Sequence, residues 1–124
     1  MRKAVMLVAM ALALVACATQ ETLRQSRIDI EAGNEEQGLA RLAAELQAHP
    51  DDAELRNFYL RHKAVAAQRY LALGDNARSA GALERAGEAY AKTLRIDPQN
   101  ERAKAGLDAL NAERKQPRTL GDAT

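Results

Sequence analysis

Few residues in this chain could carry chemistry. Among 124 residues there is one cysteine, Cys17, and there are two histidines, His49 and His62. A lone thiol cannot close an internal disulfide or build a cysteine metal cluster. It is left the part of an acceptor for a covalently attached group. His49 stands beside Pro50 and reads as a polar turn residue. His62 falls within a helical pattern and reads as a partly buried or surface residue. Neither has a second histidine or a carboxylate at metal-ligand spacing. The glycines are spread one to a turn or packing site, so no loop is built to cradle phosphate. Charges alternate along helix faces, as in Glu84, Arg85 and Glu88, the pattern of a solvated surface. The residues therefore predict no catalytic set, no metal site and no cofactor, and the chain reads as not an enzyme.

The segment that delivers Cys17 has three parts. Arg2 and Lys3 supply positive charge that stays on the cytoplasmic side during export. Ala4 to Ala16 then form an uncharged run of Ala, Val, Leu and Met. At roughly 1.5 Å per residue such a run falls short of the ~20 residues that cross a bilayer, and suits a signal-peptide core. It stops at Leu14-Val15-Ala16-Cys17, which resembles the lipobox of bacterial lipoproteins. The resemblance implies that residues 1–16 are removed as a signal peptide and that Cys17 becomes the lipid-bearing first residue. It implies an anchor in a membrane, with two or three acyl chains holding far better than one because each buried methylene adds ~0.8 kcal/mol. Ala18, rather than an aspartate, follows the cysteine, and by that resemblance the periplasmic face of the outer membrane is favoured. Two other readings stay open. Cleavage after Ala18, at Ala16-Cys17-Ala18, would yield a soluble periplasmic protein, and retention of the whole segment would leave a membrane helix.

Loss of Arg2 and Lys3 takes the basic count from 18 to 16, against 17 acids, over about 108 remaining residues. That balance offers no basic field to nucleic acid or anionic lipid and no acidic field to cationic partners. Ala, Leu, Glu and Arg dominate, all strong helix formers, while aromatic and β-branched residues are scarce. One small all-α domain is expected over 17–114, with a disordered tail over 115–124.

Internal similarity organises that domain. Gly33 precedes Pro50 by 17 residues, and Gly81 precedes Pro98 by the same distance. Between them Gly38 matches Ala86, Leu42 matches Tyr90 and Leu46 matches Leu94. Each segment reads as a helix opened after a glycine and closed before a proline. The second segment resembles the tetratricopeptide repeat, a 34-residue helix-turn-helix unit, over residues 67–100. Tyr70, Leu73, Gly74, Ala86, Tyr90 and Pro98 occupy its aromatic, Leu-Gly, small, aromatic and proline positions. Ala77 and Thr93 depart from it. Gly81 becomes the turn between paired helices, and Gly74-Asp75-Asn76 is expected to be helical. The segment at about 20–52 is a weaker match, with a first helix from about Glu21 to Ala32 and Leu23, Arg27 and Ile30 on one side. The 14 residues between, Ala53 to Ala66, keep the i, i+3, i+4 spacing of Leu55, Phe58, Tyr59 and His62. Two heptads preserve the helical face, so one linking helix of roughly 40 Å is expected from about Ala53 to Ala80. Residues 101–113 supply a C-terminal capping helix, with Ala103, Leu107 and Leu110 inward. The expected fold is about one and a half such repeats.

The repeat resemblance implies a surface that holds protein or peptide partners. Its inward positions map onto Gln68, Leu71, Asp75 and Arg78. Asp75 replaces the asparagine with which some members clamp a terminal carboxylate, so a mixed or apolar ligand is implied instead. The apolar stripe of the long helix needs covering, which predicts self-association or a bound partner. The order of lipobox, partial repeat, long helix with Ala-Glu-Leu-Arg and complete repeat is also similar to the lipidated N-terminal region of some secretin precursors of type II secretion and type IV pili. Function is thus expected as an outer-membrane-anchored scaffold in an envelope complex. A component or fragment of a secretin system is the second reading, and a periplasmic enzyme accessory a third.

Overall fold

A computed structural model describes residues 1–116, and among them the chain is all helical. The helices are α1 (Arg2–Glu31), α2 (Glu35–Ala48), α3 (Ala53–Ser79), α4 (Leu83–Ile96) and α5 (Glu101–Lys115). The expected long helix is α3, starting at Ala53 and ending one residue before Ala80. Gly74, Asp75 and Asn76 lie inside it. The tail expected over 115–124 is helical at Lys115, and from residue 117 on it lies outside the described residues.

Two compact units divide the chain, Met1–His62 and Lys63–Thr124, with the boundary inside α3. A shift of 48 positions carries the landmarks of the first onto the second. Gly33 and Gly81 both close a helix at positive φ, 88° and 75°. At both, the next amide reaches back five residues, Asn34 N–H to the Asp29 carbonyl and Ala82 N–H to that of Ala77, each at 2.8 Å. This is the Schellman closure, which needs a residue that tolerates a left-handed backbone. Two residues past Pro50 and Pro98, Asp52 Oδ1 accepts the Leu55 amide at 2.9 Å and Asn100 Oδ1 accepts that of Ala103 at 3.0 Å. Both are N-cap bonds that satisfy an otherwise orphaned amide.

Packing follows the same shift. In the first unit Leu23, Leu39, Leu42, Leu55 and Phe58 are buried. In the second the core is Leu71, Ala86, Tyr90, Ala103 and Leu110. Leu42 of α2 corresponds to Tyr90 of α4, and both are fully buried. Their neighbours change size in the opposite sense. Around Leu42 the corresponding positions hold Ser26 and Phe58, whereas around Tyr90 they hold Gly74 and Gly106. A Cβ on either glycine would lie 2.6 Å from the Tyr90 ring. The second unit thus fills its centre with a ring from α4, where the first has the smaller Leu42 of α2 and carries its ring at Phe58 instead. Interiors near crystal packing density accept such exchanges only when total volume is kept.

Three sequence expectations need correcting. The first segment is not a partial version of the second: residues 53–62 stand to α1 and α2 as α5 stands to α3 and α4, with Leu55 at 0% exposure and Gln20 donating to Glu54 at 3.4 Å. Its first helix also does not begin near Glu21. It runs unbroken from Arg2, because the Ala/Leu/Met segment contains no helix breaker. On that helix Arg27 does not share the buried face with Leu23. Ser26 takes that place, and the exposed Arg27 lays its guanidinium 5.5 Å from the Phe58 ring centroid.

Candidate functional site

The first candidate is Cys17 and the helix that presents it. Residues 1–18 are all exposed, Cys17 included, and Thr19 is the first buried side chain of α1. Met6 and Leu7 are 77% and 69% exposed, values proper to a side chain touching nothing. By length and composition α1 is apolar enough to cross a membrane, its most apolar 18-residue stretch having mean hydropathy 1.9 with 6% of it buried. That degree of burial sets it apart from the core helix of a globular domain. The Thr19 hydroxyl lies 3.2 Å from the Val15 carbonyl of its own helix and 3.4 Å from the Glu45 carboxylate, and the Thr22 hydroxyl lies 3.5 Å from Glu45, so α2 meets the start of the packed part of α1 there.

The second candidate is the set of repeat positions in the second unit. Gly74, Ala86 and Tyr90 are buried together, Gly81 forms the turn, and Pro98 is exposed after α4. Thr93, buried at an apolar position, donates its hydroxyl to the Ala89 carbonyl at 2.9 Å and so leaves no orphaned polar atom. Leu73 is not in the core. It is 51% exposed, because the one-residue step to Gly74 turns it about 100° around α3.

The four positions expected to face a partner are arranged differently from that expectation. Gln68 is exposed, but Leu71 is 2% exposed and belongs to the core. Asp75 accepts the Tyr90 hydroxyl at 2.7 Å through one oxygen and pairs with Arg102 at 3.1 Å through the other. Arg78 pairs with Glu113 at 2.7 Å. α5 therefore covers this face, and Asp75 and Arg78 hold it there. Burial, then the hydrogen bond to Asp75, raises the Tyr90 pKa, so the phenol keeps the proton it donates. The Glu113 hydrogen bond likewise raises the pKa of Arg78. Residues 101–113 carry no signal in sequence that their helix would cover these particular side chains.

What remains open in this unit is the other side of the α3–α4 pair. There Tyr70, Leu73, Ala77 and Ala80 from α3 meet Ala89 and Lys92 from α4 around a cleft of about 770 Å³. Tyr70 is half-buried, with Lys92 Nζ 4.4 Å from its ring centroid and Arg69 donating to its hydroxyl at 3.2 Å. The small residues Ala77, Ala80 and Ala89 keep the floor shallow.

The histidines stand apart from each other. His49 Nε2 lies 3.5 Å from Glu45. His62 stacks on Phe58, ring centroids 4.3 Å apart. Burial, then the charges of Arg61 and Arg27, push the His62 pKa below the ordinary imidazole value. Such a histidine takes up its proton more readily when unfolded, so the stability it supports is complete above about pH 6.5 and declines as pH falls. The chain is expected to melt at lower temperature near pH 5 than near pH 7. His62→Leu, the residue type found at the corresponding Leu110, should flatten that dependence. Parallel melting-temperature curves for the two proteins would contradict it.

Among the described residues no group of three His, Cys, Asp or Glu side chains is placed to hold a metal ion. Compared with protein-family models, curated proteins and solved structures, the chain matches none.

Proposed function

We propose that this chain is a lipid-anchored envelope protein, held by acylated Cys17 on the periplasmic face of the outer membrane, whose tetratricopeptide-like helical units act as a scaffold for protein partners. One observation carries the reading: every residue before Cys17 is exposed, and burial begins at Thr19. Cleavage ahead of Cys17 would remove the bare apolar helix and not one buried side chain. A thiol placed at that boundary is where a lipid can be attached without disturbing the packing that follows. The scaffold role is supported by the two helical units and by the open cleft between α3 and α4 of the second.

The test is affinity capture of the full-length protein from detergent-solubilised membranes, with mass spectrometry of its N-terminal peptide and of whatever co-purifies. An acylated Cys17 with a reproducible envelope partner is the expected result, and a secretin among the partners would select the secretion or pilus reading. An unmodified N-terminus at Thr19 would overturn the anchor. The absence of any reproducible partner would overturn the scaffold.

A further inference from the structure

Burial on α1 starts two residues after the thiol. Thr19 is 5% exposed, while residues 1–18 are all exposed. Two residues span at most about 7 Å even when fully extended. A lipid attached at Cys17 is therefore joined to the packed unit by almost no tether. The apolar run ahead of the thiol is an independent sign of what lies at this end. Val5, Leu7, Leu12 and Leu14 are between 66% and 69% exposed and belong to a helix apolar enough to cross a membrane. Such a surface is costly in water and stable in hydrocarbon. With that run in the bilayer, or with an acylated Cys17 in its place, the membrane meets the first unit at the same end.

Three elements of the first unit converge there. The Thr19 and Thr22 hydroxyls lie 3.4 and 3.5 Å from Glu45, near the end of α2. Gln20 donates at 3.4 Å to Glu54 in the first turn of α3. Past Glu45, α2 runs on to Ala48, which at about 1.5 Å per residue carries its end some 5 Å farther. The turn from His49 to Asp52 is thereby brought level with Cys17. Pro50 and Asp51 at its tip are exposed. Its two ends are held, His49 beside Glu45 at 3.5 Å and Asp52 by its cap on the Leu55 amide. The opposite end of the unit carries the Gly33 turn. From Thr19 to Ala32, where α1 closes, the helix rises about 20 Å.

From this juxtaposition we infer that the first unit stands directly on the bilayer, its α2–α3 turn (residues 49–52) against the lipid headgroups and its Gly33 turn pointing away. The inference rests on the membrane attachment proposed above and adds to it the surface by which the attached protein meets the membrane. Geometry selects a lipid surface as the occupant. Acyl chains on Cys17 end in hydrocarbon, so whatever lies level with Cys17 lies at the headgroups, and a protein partner would have to enter between the turn and the bilayer that holds the chains. A short anchor alone is a pivot. The turn level with it supplies a second point of support, and the unit then stands on its end. Lying on its side, it would bring residues 49–52 and the Gly33 turn equally close to lipid.

The experiment expresses the full chain in bacteria, purifies it from membranes and reconstitutes it into phosphatidylcholine vesicles containing a lipid with a nitroxide on its headgroup. Acylation consumes Cys17, so a cysteine introduced by Asp51→Cys or Asn34→Cys is the one free thiol for a fluorophore. Both positions are exposed. The parent chain, labelled in parallel, reports any Cys17 left free. The nitroxide should remove most of the fluorescence at position 51 and little at position 34. A Gly-Ser insertion of about 12 residues between Ala18 and Thr19, with a mean reach of about 20 Å, should abolish that difference. Matching thermal melts by circular dichroism would show every variant folded. Mass spectrometry of the N-terminal peptide is read on the same samples. Acylated Cys17 with equal quenching at 51 and 34, with none at 51, or with quenching at 51 indifferent to the insertion would overturn the inference and leave the anchor standing. An unmodified chain that keeps Arg2–Ala16 and is quenched at 51 but not at 34 would overturn the acyl anchor and uphold this surface. An N-terminus at Thr19 without vesicle binding would overturn both.

Discussion

Gly106→Ala is expected to destabilise the second unit by about 2–4 kcal/mol, although it adds a single methyl group. The new Cβ would meet Tyr90 Cζ at 2.6 Å, and a Cβ at Gly74 would meet Cε1 of the same ring at the same distance. The ring cannot retreat, since it is fully buried and its hydroxyl is held by Asp75 at 2.7 Å. Gly74→Ala should therefore cost a similar amount. The origin of the effect is tested by coupling. Tyr90→Leu alone opens a cavity and costs about 2–4 kcal/mol, but in that background Gly106→Ala should cost little, giving a favourable coupling of about 1–3 kcal/mol. Gly74→Ser, Tyr90→Leu and Gly106→Phe together copy the first unit's arrangement of Ser26, Leu42 and Phe58 and should recover most of the lost stability. Guanidinium unfolding followed by circular dichroism measures each step. Additive costs for Tyr90→Leu and Gly106→Ala would show that the ring and the glycine are not matched.

The second large effect belongs to Cys17→Ser. If Cys17 is the lipid acceptor, this oxygen-for-sulfur exchange removes every acyl chain at once. Each buried methylene adds ~0.8 kcal/mol, so two or three chains separate stable anchoring from none. Palmitate labelling of cells is expected to fall to background, and the full-length precursor with its Arg2–Ala16 segment should accumulate in place of the processed form. Folding of the helical units should be untouched, because Cys17 is exposed and burial begins at Thr19. Normal processing of Cys17→Ser to a soluble product beginning at Thr19 would instead establish cleavage after Ala18.

Elements were legible in the sequence wherever local chemistry dictates them. Glycine at 33 and 81 and proline at 50 and 98 bracket α2 and α4, since a left-handed closure and a missing amide act over a few residues. The continuity of α3 through Gly74-Asp75-Asn76 was legible too, because an insertion of two heptads leaves the apolar stripe in register. Equivalence of the two units was not. Leu42 against Tyr90 follows from the glycine-to-proline spacing, but Phe58 against Gly106 does not, because a phenyl ring and a residue with no side chain have nothing in common in sequence.

The sequence by itself determined the helical character of the described residues, the position of the single thiol at the end of an apolar segment, and the turns between α1 and α2 and between α3 and α4. All of these follow from periodicity, helix propensity and backbone restrictions that act over neighbours in the chain. Tertiary structure decided which faces are spent and which are free. Leu71, Asp75 and Arg78 share one side of α3 by spacing alone, and nothing local says that α5 would cover it through Arg102 and Glu113. Leu73, which the repeat pattern would bury, stays 51% exposed. Burial is a property of what the chain brings back from a distance, so neither outcome could be read from spacing along the chain alone.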